Sequence, residues 1–133
     1  LSFVYLGFHL ISLIELHPYQ YVYYNEAAGG LRGAHNRFET DYWATSYREA
    51  AQILNRHVDS LPDRSRIYFI EVCGPNLNAA YYFSPQLKLV DTDGQADYFI
   101  SFTRMKCHTR YGDKPLIGVV QRDGIPLTLV KQL

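Results

Sequence analysis

From Ser46 onward the chain alternates between two kinds of hydrophobic spacing. Ala50, Ile53, Leu54, His57, Val58 and Leu61 recur three and four residues apart, the stripe of a helix packed on one side, and Pro62 stops it. Ser46-x-x-Glu49 reads as a capping box, the serine oxygen accepting the Glu49 amide while the glutamate reaches back to the Ser46 amide. Ile67 to Val72 and Leu87 to Val90 are short apolar runs of the kind that form buried strands. Between them Gly74-Pro75-Asn76 opens a second helix carrying Ala79, Ala80, Tyr82 and Phe83, ended by Ser84-Pro85. Strand, helix, strand predicts a parallel βαβ unit with a right-handed crossover. Asp91-Thr92-Asp93-Gly94 reads as a turn, Asp97 to Phe102 as a third strand, and Thr103 to Pro115 as a polar loop. Leu116 to Arg122 and Ile125 to Leu129 then flank Asp123-Gly124, the pair a tight primed hairpin turn prefers. The fold class is therefore α/β: a mixed sheet of about four or five strands with a C-terminal antiparallel hairpin and at least two packed helices.

The amino-terminal third follows no such rule. Leu1 to Leu16, LSFVYLGFHLISLIEL, is shorter than the ~20 apolar residues that cross a bilayer, and it contains His9 and Glu15. It reads as the end of a transmembrane helix, as an amphipathic helix packed on the domain, or as a strand. It has neither the basic leader nor the cleavage site of a signal peptide. Tyr19, Tyr21 and Tyr23 alternate with Gln20, Val22 and Tyr24, the period of an extended segment, and His17-Pro18 disfavours helix at His17. Gly29, Gly30 and Gly33 place a tight turn or loop at Ala28 to Gly33. Residues 17–133 form one soluble domain preceded by the lead-in 1–16.

Composition narrows the function. The chain has 133 residues, 13 basic and 13 acidic, for a formal net charge of zero. No global field recruits nucleic acid. The sequence shows no repeat and no low-complexity tract.

Arg37-Phe38-Glu39-Thr40-Asp41-Tyr42-Trp43 alternates charge with aromatic side chains. Arg37, Glu39, Asp41, Trp43 and Tyr47, with Tyr23, Asn25 and His17 adjacent, offer what sugar recognition needs: flat aromatic faces for pyranose C–H groups and charged groups for hydroxyls or a phosphate. The preferred reading of the same residues is structural, with Arg37 paired to Glu39 or Asp41 and Trp43 filling the core. His9, His17, His35, His57 and His108 show no paired ligand spacing, so no zinc site is expected. Asp91, Asp93 and Asp97 lack the full calcium-loop pattern and read as a solvated turn. The glycines carry no P-loop lysine, and no cofactor is implied. A catalytic Cys73 with His57 or His108 has no local signature behind it.

HPYQYVYYNEAAGGLRGA, RFETDYW and SYREAAQIL, in that order, resemble the segment after the last membrane span in bacterial multi-spanning proteins similar to the dolichyl-phosphate-mannose protein mannosyltransferases. The likeness continues more weakly through Val72-Cys73-Gly74, Leu87 to Val90, Ala96 to Ile100 and the closing hairpin. It implies an auxiliary, extracytoplasmic (periplasmic) C-terminal domain of a membrane glycosyltransferase that uses a polyprenyl-phosphate-linked sugar. The partners implied are the transmembrane region of the parent chain and a lipid-linked sugar or glycan acceptor. The family's catalytic acids lie in loops near the amino end of the membrane region, so no catalytic residue is carried over. In this setting Tyr19, Tyr21, Tyr23 and Tyr24 fall at the membrane interface; in the plainer one they are half-buried strand residues. An oxidising compartment would allow a Cys73–Cys107 disulfide; the alternative is two unrelated thiols. The competing class is a free-standing carbohydrate or protein binding module.

Overall fold

The computed structural model describes residues 2–90 and 95–133. The turn assigned to residues 91–94 lies outside them, and with it the calcium question. Five strands make one mixed sheet in the order β2-β1-β3-β5-β4: β1 (Tyr68–Val72), β2 (Leu87–Leu89), β3 (Tyr98–Phe102), β4 (Leu116–Arg122) and β5 (Ile125–Gln132). β1 runs parallel to both β2 and β3, and β5 pairs antiparallel with β3 and β4. The mixed α/β class and the terminal hairpin thus stand as read. Asp123 and Gly124 hold φ of 49° and 72°, the left-handed pair that a primed turn requires.

Helix α3 (Tyr47–Asp59) buries Tyr47, Ala50, Ala51, Leu54 and Val58 against the sheet. Gly118 makes that approach possible, since a Cβ there would lie 2.7 Å from Ile53 Cγ2. The second predicted helix is only one turn, α4 (Leu77–Ala80); Tyr82 and Phe83 fall beyond it because Pro75 and Pro85 leave too few residues to propagate further. The helix axis of βαβ is accordingly short, and the crossover is mostly loop.

Three expectations fail in the amino-terminal third. Tyr19 to Tyr24 is not extended: a 3-10 turn occupies Gln20–Val22 and another Glu26–Ala28. Tyr19 and Val22, three apart, are the buried residues while Tyr21 is exposed, so the real period is that of a 3-10 turn. The glycine loop at 28–33 is a turn at Gly29 followed by a short helix, α2 (Gly30–Ala34). Leu31 and Ala34 are buried on it, and that burial holds a helix where three glycines argue for loop. The capping box does not form either. Ser46 sits in helical conformation with no cap bond, because its hydroxyl turns inward to Asp41 and Thr128, while Glu49 pairs with Arg122 at 3.0 Å. Asp41 organises the turn that precedes the helix, its Oδ1 accepting the Thr45 amide at 3.2 Å.

Helix α1 (Ser2–Glu15) opens the chain. Eight of its large apolar side chains are exposed, Phe3 at 89%, Phe8 at 65% and Ile14 at 73% among them, while His9 and Ser12 are only partly exposed. The strand reading is thereby corrected: the segment is a helix whose His9 side meets Tyr23 at 2.7 Å while its large apolar side chains stay exposed. Fourteen residues span about 21 Å at 1.5 Å per residue, and among the described residues no helix is long and apolar enough to cross a membrane.

Candidate functional site

The residues singled out for sugar recognition do not form one site. Asp41 and Tyr47 are fully buried and structural. Asp41 collects the hydroxyls of Tyr21 and Ser46 besides the Thr45 amide, and Ser46 Oγ lies 2.6 Å from Thr128 Oγ1 on β5. Burial raises the Asp41 carboxyl above its ordinary value, opposed by these hydrogen bonds. Tyr47 donates its hydroxyl to the Cys73 carbonyl and accepts the Phe102 amide at 3.2 Å. Burial likewise raises its phenol. Both tie α3 to the sheet.

Tyr23 lies beside α1, its hydroxyl 2.7 Å from His9 Nδ1 and 3.4 Å from Glu26 Oε1. Asn25 accepts the Ala28 amide at 3.0 Å, capping the second 3-10 turn.

The preferred structural reading of Trp43 and Arg37 is wrong. Trp43 is 68% exposed. The interior places on that turn are taken by Asp41 and Ala44, both fully buried, and Ala44 adopts a left-handed φ of 52° that turns the preceding indole outward. Asn78 Nδ2 donates to the Trp43 carbonyl at 2.8 Å, and Trp43 meets Tyr42 edge-on at 5.0 Å. Arg37 is exposed and sits 5.6 Å over the Phe38 ring. The pair it was assigned is made by Arg104, whose Nε lies 2.6 Å from Glu39 Oε2.

Segment 39–45 is therefore a ridge with a cleft on either side. One cleft, about 430 Å³, lies between the start of α3 and α4 and is lined by Thr45, Arg48, Leu77, Asn78, Tyr81 and Tyr82. Tyr81 is 83% exposed and meets Tyr82 edge-on at 5.0 Å; Arg48 lies 5.7 Å over Tyr82. Aromatic faces beside an amide and a guanidinium suit a pyranose ring. The other cleft, about 520 Å³, lies between residues 35–40 and 103–108, with Arg37, Glu39, Arg104, Lys106 and His108 among its walls. Tyr42 lies under Arg104 at 3.9 Å and meets Trp43 edge-on.

The far wall of the second cleft was read as polar loop and is a kinked 3-10 segment, Arg104–Thr109. Cys107 joins Cys73 in a disulfide with Cα atoms 6.4 Å apart. Buried Lys131 on β5 donates to the carbonyls of His108, Arg110 and Tyr111 at 2.8, 2.7 and 3.2 Å, and its burial lowers the ammonium pKa. Burial also lowers the His108 imidazole, opposed by the Thr103 backbone and reinforced by Lys131 and His35. Bonded to Cys107, Cys73 is no nucleophile for His57 or His108. Among the described residues no group of three or more His, Cys, Asp or Glu is placed to hold a metal ion.

Arg48, Asn78, Tyr81, Arg104 and Lys106 were missed. Arg104 and Lys106 lie far from the aromatic stretch in sequence, and only the β3–β5 pairing brings them to it. Tyr81-Tyr82 was read as helix interior. The fold is a mixed α/β domain with two surface clefts beside the aromatic segment. Comparison with protein-family profiles, curated proteins and solved structures finds no match for this chain.

Proposed function

We propose that this chain is an auxiliary, non-catalytic domain held at the extracytoplasmic face of a bacterial membrane as part of a glycosyltransferase that uses a polyprenyl-phosphate-linked sugar. The observation that carries membrane attachment is α1, whose large apolar side chains are exposed. Water penalises that surface at about 25 cal/mol per Å², and hydrocarbon does not. The resemblance of the aromatic stretch supplies the glycosyltransferase. The Cys73–Cys107 bridge fits an oxidising compartment, and the tyrosines at 19–24 fit the interface beside α1.

Protease accessibility tests the placement. In bacterial spheroplasts producing the whole protein, the domain should fractionate with membranes and be cut by trypsin added from outside. Recovery in the soluble fraction, or protection until lysis, contradicts it.

The cleft between α3 and α4 favours a second reading, a carbohydrate-binding module. Trp43, the single tryptophan of the chain, directly precedes Ala44 and Thr45 of that cleft's lining and accepts the Asn78 amide at its carbonyl, so its fluorescence is the probe. Saturable quenching by short glycans, lost in Tyr81→Ala, supports binding; a flat titration across several glycans removes this reading.

A further inference from the structure

We infer that the cleft between residues 35–40 and 103–108 binds a phosphate ester, with Arg37, Arg104 and Lys106 as its cationic contacts. The chain as a whole is neutral, yet this cleft gathers three permanent cations against one carboxylate, Glu39, among its lining residues. That local excess favours an anion. Glu39 and Tyr42 fix the Arg104 guanidinium from its edge and its face, at 2.6 Å and 3.9 Å, which presents a planar donor fork suited to phosphate oxygens.

The opposite wall is held in an uncommon shape. Met105 and Lys106 both adopt left-handed φ, 51° and 57°, conformations that cost a non-glycine residue energy and persist only where the surroundings enforce them, often at ligand clamps. The enforcing contacts are the Cys73–Cys107 bridge and the Lys131 bonds to three carbonyls. Phe38 and Met105, both exposed, flank the cations and give the cleft an apolar margin. The site makes no use of α1, so it stands or falls apart from membrane attachment.

Amide NMR on the intact chain in zwitterionic micelles, at fixed ionic strength, tests it with two probes: inorganic diphosphate and octyl phosphate. Saturable shifts confined to residues 35–40 and 103–108 are expected with at least one probe. Arg37→Gln and Lys106→Gln, both at exposed positions, should each weaken binding roughly tenfold with unchanged melting. Equal affinity for both probes identifies a soluble phosphate ester; tighter octyl phosphate, with the gain lost in Phe38→Ser, identifies an amphiphilic one. No shift with either probe, shifts scattered over other basic residues, or undiminished binding in both glutamine variants overturns the site.

Discussion

Strand β3 and helix α1 are both apolar runs, and they meet opposite fates. Tyr98, Phe99, Ile100, Ser101 and Phe102 are all buried, because β3 lies in the middle of the sheet between β1 and β5 with layers on both faces. In α1, Phe3, Val4, Leu6, Phe8, Leu10, Ile11, Leu13 and Ile14 are all exposed. The domain has closed its core without them. Leu16, the first buried residue after the helix, is where the chain passes from one regime to the other. Apolar composition alone therefore does not say what a segment packs on; the α/β domain covers β3 and leaves the large apolar side chains of α1 exposed.

Substitutions should separate the two regions. Phe102→Ala should cost about 3–5 kcal/mol in chemical denaturation, the usual penalty for emptying a buried aromatic site, since Phe102 is 1% exposed and packs on Tyr47 at 5.5 Å. Replacing Cys73 and Cys107 together by serine should cost about 3–4 kcal/mol, from the loop-closure entropy of a 34-residue separation. Asp41→Ala should cost about 2 kcal/mol, because it removes a buried acceptor shared by the Tyr21 and Ser46 hydroxyls and the Thr45 amide in the turn before α3. Trp43→Ala and Arg37→Ala should stay within about 0.5 kcal/mol of the parent, as exposed positions do. Thermal or urea melting checks each, and a large loss in Trp43→Ala would contradict the exposed ridge.

The same contrast explains what was legible in the sequence. Strands β1 to β5 are readable to within a few residues, because short apolar runs and Asp123-Gly124 each carry a local reason for their shape. The stripe of α3 was readable for the same reason. Its start was not: Ser46-x-x-Glu49 matches a capping box, but Thr128 and Arg122, far along the chain, compete for those side chains and win. The position of Trp43 depended on Asp41 taking the interior place, a burial no local pattern announces. Half of the second cleft comes from residues 103–108, whose left-handed Met105 and Lys106 are imposed by Cys73 and Lys131 rather than by their own preferences. Tyr19 to Tyr24 alternated correctly for a strand and lacked a neighbouring strand to join, so the chain took 3-10 turns that bury Tyr19 and Val22.

Flotation with zwitterionic lipid vesicles tests most directly whether α1 is the membrane-facing part of a domain already complete. The intact chain should float with the vesicles. A chain with Phe8, Ile11 and Ile14 changed to serine should remain at the bottom of the gradient while melting as the parent does. Equal flotation of both chains, or a serine variant that unfolds, would show that α1 belongs to the packed domain and contradict the account.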